Sequence, residues 1–373
     1  MTRLRLAVVG AGHLGRIHAR LASTAPGIQL AAVVDPLEAA RGRVASEFGA
    51  QPLADYRELF GLVDAAIVAT PTANHFQVAS ELLRGGVHVL VEKPITTTVD
   101  EADQLVKLAK HRQLVLQVGH VERFNLAFTS VQEKLYDPKF IEARRLSGYT
   151  FRSTDVGVVL DLMIHDIDVV LNLVQSPVEK VEAIGLAVLG EHEDMVNARL
   201  HFASGCVANL TASRISYSNQ RTMQVFTSQC CATIDFATRR TSLVEPAEKI
   251  LDRSFCPDTL TPSQQEQFRK HFFTDLFWKH ELPALDVNAI EEEQLDFATA
   301  IRTGAQPRVT GSDGRDALSV GHTILERIAA HQWDGAAGGR QGPLAMPESP
   351  SVLAAGPDHW SLDDTVVIRR KAS

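Results

Sequence analysis

The sequence predicts an α/β protein. A Rossmann-type, doubly wound parallel sheet at the amino end is followed by a carboxyl-terminal α+β domain with a large, open, mostly antiparallel sheet. Three observations predict it. Over residues 1 to about 120, short β-branched apolar runs alternate with segments of helical period, as parallel strands joined by helical crossovers require. Beyond about residue 140 the runs lengthen, alternate in polarity and are joined by hairpin-length turns such as Ala203-Ser204-Gly205. The chain has 373 residues, 45% hydrophobic and 22% charged, which is enough for two full cores.

The strand runs of the first part are LRLAVVG, IQLAAVVD, VDAAIVAT, VHVLVEKP and LVLQVGH. Between them helices are expected at His13 to Ala22, Glu38 to Phe48, Asn74 to Arg84 and Val99 to His111. The last begins with Asp100 and Glu101 and ends with Lys107, Lys110 and His111, matching charge to the helix dipole. In the second part FIEARRLSGY, VEKVEAIGLAV, MVNARLHF, CVANLTASRIS and TMQVFTSQCCATIDF read as long strands, interrupted by one helix over residues 156–174. Helices at Ile290 to Thr303 and Gly311 to Ala330 are expected to pack back on the first domain. The boundaries that follow are 1–122 for a nucleotide-binding domain, 123–331 for a substrate and oligomerisation domain, and 332–373 for a flexible or arm-like tail rich in Gly, Pro, Ala and Ser.

A formal net charge of −8 argues against a polyanion-binding surface, so nucleic acid is excluded as a partner. No run approaches the roughly 18 apolar residues of a membrane span, and the apolar amino terminus breaks at glycines, so neither a membrane nor secretion is expected. A cytoplasmic protein is the expectation. Cys206, Cys230, Cys231 and Cys256 show no metal-ligand spacing; they read as reduced thiols, and no metal is expected.

GAGHLG, residues 10–15, follows a strand and opens a helix. There Gly10, Gly12 and Gly15 permit a tight turn and close approach of the amides of His13 and Leu14 to a pyrophosphate at a helix amino terminus. Asp35 ends the second strand 20 residues after Gly15, where a carboxylate holds ribose hydroxyls and repels a 2′-phosphate, which favours NAD over NADP. Thr70, Pro71, Thr72 and His75 follow the next strand and border the same crevice.

VLVEKP then ends a core strand in Glu92, Lys93 and Pro94. A lysine beside a nicotinamide ring that turns positive on oxidation is set up for proton transfer. Further on, Asp161 and His165 stand four apart in a helix and share a face, with Asp168 three beyond; a carboxylate one turn from an imidazole fixes its tautomer.

Together GAGHLG, VVDP, ATPTANH, EKP and the segment Asp161 to His165 resemble the Gfo/Idh/MocA family of oxidoreductases, over about residues 3–330. That resemblance implies NAD(P)-dependent oxidation or reduction of a sugar or cyclitol hydroxyl by a homodimer or homotetramer. Lys93, Asp161 and His165 become the catalytic positions, and Glu92 joins the cofactor side. GHVERFN, residues 119–125, is similar to GHIERFNP of members that act as UDP-N-acetylglucosamine 3-dehydrogenases, with Leu126 where that segment has proline. It implies a nucleotide sugar as substrate, contacted by Glu122, Arg123, Asn125, Arg152 and His165. Arg123 is the expected diphosphate ligand, with Arg144 and Arg145 as lesser candidates. An inositol or free-sugar dehydrogenase, an NAD-dependent glycosidase and a non-catalytic NAD sensor stay open as alternatives. So does the choice of Lys93 or His165 as the base.

Overall fold

The computed structural model describes residues 3–151, 156–282, 287–333 and 339–344. Its first sheet has six parallel strands, β1 (Leu4–Val9), β2 (Ile28–Val34), β3 (Gln51–Leu53), β4 (Ala65–Val68), β5 (His88–Glu92) and β6 (Leu116–Gly119), in the order β3-β2-β1-β4-β5-β6. The crossovers use α1 (His13–Thr24), α2 (Glu38–Phe48), α3 (His75–Arg84) and α4 (Val99–Arg112). Strand order reverses between β1 and β4, so their carboxyl ends open a crevice. Helix α4 bears out its charge pattern: Thr98 and Glu101 form a reciprocal cap, and Lys110, His111 and Arg112 close the last turn.

The second sheet has eight strands. Short α5 (Leu126–Thr129) leads to β7 (Phe140–Leu146), and α6 (Ile164–Val174) precedes β8 (Val178–Leu186), β9 (Met195–Phe202) and β10 (Val207–Ser213). Then come β11 (Gln220–Phe226), β12 (Cys231–Asp235), β13 (Arg240–Pro246), the short helices α7 (Glu248–Leu251) and α8 (Pro262–Lys270), and β14 (Phe277–Leu282). The order is β14-β13-β12-β11-β7-β10-β9-β8, antiparallel except where β7 meets β10. Ala143, Ala198, Ala208, Ala212 and Ala232 line the covered face, and Met163, Ile164, Ile167 and Val170 belong to the same core. Small side chains on the strands let the helix approach, and each fully buried Ile contributes about 1.5–3 kcal/mol.

Four strand readings needed correction, one of them β13 (Arg240–Pro246), which the sequence reading did not select. The run TMQVFTSQCCATIDF is two strands, because Thr227 and Cys230 close a turn through Thr227 N–H to the Cys230 carbonyl oxygen and Cys230 N–H to Thr227 Oγ1, both 2.9 Å. Strand β3 went unread because it is three residues with a proline, an edge-strand composition. Strand β14 went unread because Lys279, His280 and Glu281 erase its polarity pattern, which is how an edge strand resists pairing.

Helices α9 (Ala289–Thr303) and α10 (Gly311–Ala330) close the chain over both sheets. Helix α9 lies on α1, where Gln294 Nε2 donates to His18 Nδ1 at 3.0 Å. Helix α10 touches α4 and β6 of the first sheet and α6 and β8 of the second. The uncovered face of the larger sheet is mixed: Glu142, Arg144, Asn197, Thr211, Thr222, Gln224 and Thr233 lie on it at the surface or half-buried, and Ile184 and Phe226 expose apolar side chains there. The four cysteines are free. No described helix is long and apolar enough to cross a membrane. Most of the expected tail, residues 345–373, lies outside the described residues.

Candidate active site

The glycine loop has the shape that a pyrophosphate needs. Gly10 has φ +102°, and a Cβ there would stand 2.5 Å from the Ala69 carbonyl oxygen, while one on Gly15 would strike the Gly10 carbonyl. A Cβ on Gly12 would meet nothing within 4 Å, so this edge of the loop is open. Helix α1 starts there with no side-chain cap, leaving the first-turn amides of His13, Leu14 and Gly15 for an anion. Asp35 accepts from the N–H of Ala11 and of Leu37, each at 2.8 Å, which fixes its carboxylate beside the loop. A cavity of about 610 Å³ joins Gly10, Gly12, Asp35, Thr70 and Pro71. Thr70 Oγ1 is enclosed and has no protein partner. Thr72 lies in the turn Thr72–Asn74 that leads from this wall into α3. Tyr56 and Arg57, which the sequence reading did not select, complete the pocket's far side.

Lys93 leaves the end of β5 towards the start of α6. Its Nζ donates to the Asp161 carbonyl oxygen at 2.7 Å and to Asp161 Oδ1 at 3.0 Å. Asp161 sits in a π turn, Val159–Met163, and the turn explains the contact: an α-helix keeps each carbonyl for a backbone N–H, whereas here Lys93 reaches it. His165 follows in the first turn of α6 and is half-buried. Its Nδ1 is enclosed without a protein partner, and Nε2 has none among the described residues. Burial, then the charges of Lys93 and Arg145, hold its pKa well below the usual 6.5, so the ring is neutral at neutral pH. The two expected catalytic positions therefore meet, with Asp161 between them.

A third ring was missed by the sequence reading. His120 follows β6 directly, is 1% exposed, and stacks edge-on to His165 with ring centres 6.4 Å apart. Burial and the nearby Arg123 and Lys93 charges push its pKa down to about 3. The rule that places ligands beyond strand carboxyl ends, applied to β6 as it was to β5, would have found it.

Glu92 does not reach the cofactor side as expected. It turns into the core, where Oε1 accepts from His18 Nε2 at 2.7 Å and Oε2 from the Lys93 N–H at 3.2 Å. Glu92 thus ties the strand that carries Lys93 to the helix that carries the glycine loop. Glu293 joins His18 and Glu92 within metal-ligand spacing. Burial and the Glu92 charge raise the Glu293 pKa well above normal, and His18 is already held by Glu92 and Gln294.

His75 also differs from expectation. It is 1% exposed, with its ring nitrogens 2.9 Å from the carbonyl oxygens of Pro94 and Thr70, so it clamps the ends of β4 and β5 from behind.

The GHVERFN residues bury their polarity rather than offer it. Glu122 accepts from Arg145 Nη1 at 2.8 Å and from Asn125 Nδ2 at 2.9 Å; Asn125 also donates to the Phe236 carbonyl and caps Ala127. Arg123 is spent on Asp168 at 3.3 Å and on the Arg308 carbonyl at 3.1 Å, which leaves it no free face for a diphosphate. Burial raises the Asp168 pKa to about 7 in spite of Arg123, and Asp168 lines a different cleft, of about 730 Å³, between α6 and α10. Arg145 is buried, bidentate to Asp166 at 3.0 and 2.8 Å, while Arg144 pairs at the surface with Glu142. Arg152 lies outside the described residues.

Comparison with known proteins gives the following. Residues 4–120 match the family model of an oxidoreductase family with an NAD-binding Rossmann fold, and residues 117–232 match the GFO/IDH/MocA C-terminal domain. A UDP-N-acetylglucosamine 3-dehydrogenase of Acidithiobacillus ferrooxidans is 38% identical over 237 residues, which is 63% of this chain and 75% of that protein. A solved structure of the enzyme of that name from the same organism aligns with TM-score 0.77 at 31% identity, covering 88% of this chain and 98% of the other. The scyllo-inositol 2-dehydrogenase (NAD(+)) of Bacillus subtilis is 26% identical over 86% of this chain and 92% of its own length.

Proposed function

The chain belongs to the GFO/IDH/MocA oxidoreductase family, and from that premise we propose that it is an NAD-dependent dehydrogenase of a nucleotide-linked sugar, with carbon 3 of UDP-N-acetylglucosamine as the oxidised position. One observation carries the chemistry. Lys93 from the nucleotide-binding sheet is bonded to Asp161, and His165 stands in the next turn as a neutral ring with Nε2 unengaged.

Gly10, Gly12, the first-turn amides of α1, Asp35 and Thr70 would hold the dinucleotide. When bound, it supplies the hydride acceptor. His165 Nε2 takes the hydroxyl proton as the carbon loses hydride, which a neutral imidazole does and an imidazolium does not. Lys93, its Nζ fixed by two bonds to Asp161, holds the hydroxyl oxygen in line as the ketone forms. NAD is favoured over NADP because Asp35 sets a negative charge at the ribose end of the cavity. The cations nearby are engaged: Arg41 on the carbonyl oxygens of Asp35 and Pro36, and Arg57 on Asp55 and Glu81.

The nucleotide sugar is favoured by the likeness to the Acidithiobacillus enzyme, and inositol is the competing substrate because of the Bacillus one. The test is a panel of UDP-sugars, free sugars and inositols with NAD, read by absorbance of the reduced cofactor. Signal with UDP-N-acetylglucosamine and not with inositols supports the reading. Signal with an inositol alone replaces the substrate, and silence across the panel removes the dehydrogenase.

We further propose a homodimer or homotetramer formed through the uncovered face of the larger sheet. Light scattering coupled to size exclusion decides it, and a monomer at micromolar concentration contradicts it.

A further inference from the structure

His120 and His165 carry three enclosed ring nitrogens between them, Nδ1 and Nε2 of the first and Nδ1 of the second, and none has a partner among the described residues. Each unpaired buried polar group costs about 1–3 kcal/mol, so three at one place are expensive to keep. They lie together, the ring centres 6.4 Å apart and edge-on, with the Lys93 charge acting on both.

For Nε2 of His165 to accept a proton it must be the bare nitrogen, which puts the hydrogen on Nδ1 and calls for an acceptor there. A carboxylate or carbonyl ordinarily fills that role. Here the groups whose charge acts on the ring are Lys93 from β5, Arg145 from β7, Arg221 from β11 and His120 after β6, and its own helical segment carries the carboxylates Asp161 and Asp166. Neither carboxylate bonds Nδ1: Asp161 is taken by Lys93, and Asp166 by Arg145. The imidazole of His120 remains.

We propose that His120 is a positioning residue for His165, receiving the Nδ1 hydrogen through one ordered water and so fixing the tautomer that leaves Nε2 bare. No direct bond joins the rings, whose centres are 6.4 Å apart, and a water is the group that links two nitrogens lying beyond hydrogen-bond reach. His120 stays neutral in these surroundings, which keeps a lone pair available to accept. The role rests on the dehydrogenase reading above, but the tautomer it requires is a property of the protein alone.

The test uses His120→Phe, which keeps a ring and removes both nitrogens, and His120→Gln, which restores an acceptor. The expected result for His120→Phe is a kcat lowered about tenfold or more, with KM for the sugar nucleotide little changed. The acid limb of kcat moves as His165 loses this neighbour. His120→Gln recovers part of the loss, which a purely structural role does not predict. Independently of turnover, nitrogen NMR of histidine-labelled wild-type protein should show His165 protonated at Nδ1, and a mixture of tautomers in His120→Phe. A wild-type ring protonated at Nε2, or the same tautomer in both proteins, overturns the proposal. So does His120→Phe turning over at the wild-type rate with an unmoved pH profile. Wild-type inactivity across the substrate panel would instead sink the dehydrogenase reading and leave the tautomer measurement standing.

Discussion

His165 is neutral because enclosure removes water and because Lys93, Arg145 and Arg221 leave no room for another positive charge. Its folded pKa lies below the reference of about 6.5, so the active base persists as pH falls past that value. The rate kcat/KM should accordingly stay level from pH 8 through 6.5 and decline only at lower pH. A limb above pH 7 would move the base role to Lys93. Stability follows the same sign at His120. With a folded pKa of about 3, the unfolded chain binds the proton first as pH drops, so stability is lost between about 6.5 and about 3. His120→Phe escapes this loss and sheds the ring nitrogen that the water bridge to His165 leaves unpaired. It should be more stable than wild type by about 1–2 kcal/mol at neutral pH, with a gap that widens at pH 5; urea titration at both pH values measures it. At Asp35 the expectation concerns the cofactor: Asp35→Ser should shift the ratio of kcat/KM for NADP over NAD upward by about tenfold or more, and an unchanged ratio refutes the charge argument. Lys93, Asp161 and His165 were legible because each is a polar group set in an apolar run. Glu92, His75, Glu122, Arg123 and Asn125 were legible as special but not in their role. Their partners are His18, Pro94, Arg145, Asp168 and Phe236, and for all but His75 the deciding partner lies 23 to 111 residues away. A linear reading shows a charge without showing what neutralises it.

Among the elements, α10 does most to hold the two sheets in relation. Thr310 and Asp313 cap it reciprocally, and the residue before the cap joins it to β6, the Val118 N–H donating to the Val309 carbonyl oxygen at 3.2 Å. The approach is close: a Cβ on Gly314 would stand 2.5 Å from Val118 Cγ2. Gly314→Ala should therefore lower stability by about 1–3 kcal/mol through overpacking, seen as a lower urea midpoint, and a midpoint at the wild-type value would show that the helix shifts freely. Because β6 also leads into His120, the same variant should lower turnover. Helices α1 to α4, α6, α9 and α10 and most central strands were readable from period, since burial imposes a pattern on them; the interior strand β13 and the exposed helices α7 and α8 were not. Strands β3 and β14 lie at sheet edges, where one neighbour is solvent and no pattern is imposed. The π turn was read as plain helix, because the partner its free carbonyl takes, Lys93, lies 68 residues earlier in the chain.

Across the whole molecule, the site exists only where the two sheets meet. Lys93 and His120 come from strand ends of the first, and Asp161 and His165 from the segment packed on the second. The joints that fix this meeting are Arg123 to Asp168 at 3.3 Å, Arg145 to Glu122 at 2.8 Å, and Asn125 to the Phe236 carbonyl at 3.1 Å. Two α/β units and a crevice at the strand reversal were legible from the alternation of strand and helix. The side chains that lock the units together were not, since each half of every joint reads alone as an ordinary residue. The central claim is that a lysine from one sheet and a histidine from the other act on the same hydroxyl. Turnover of UDP-N-acetylglucosamine with NAD by Lys93→Ala and His165→Ala, alongside NAD binding by calorimetry, measures it most directly. The account predicts binding within about threefold of wild type and turnover reduced by about a hundredfold or more in each variant; near-normal turnover in either would contradict it.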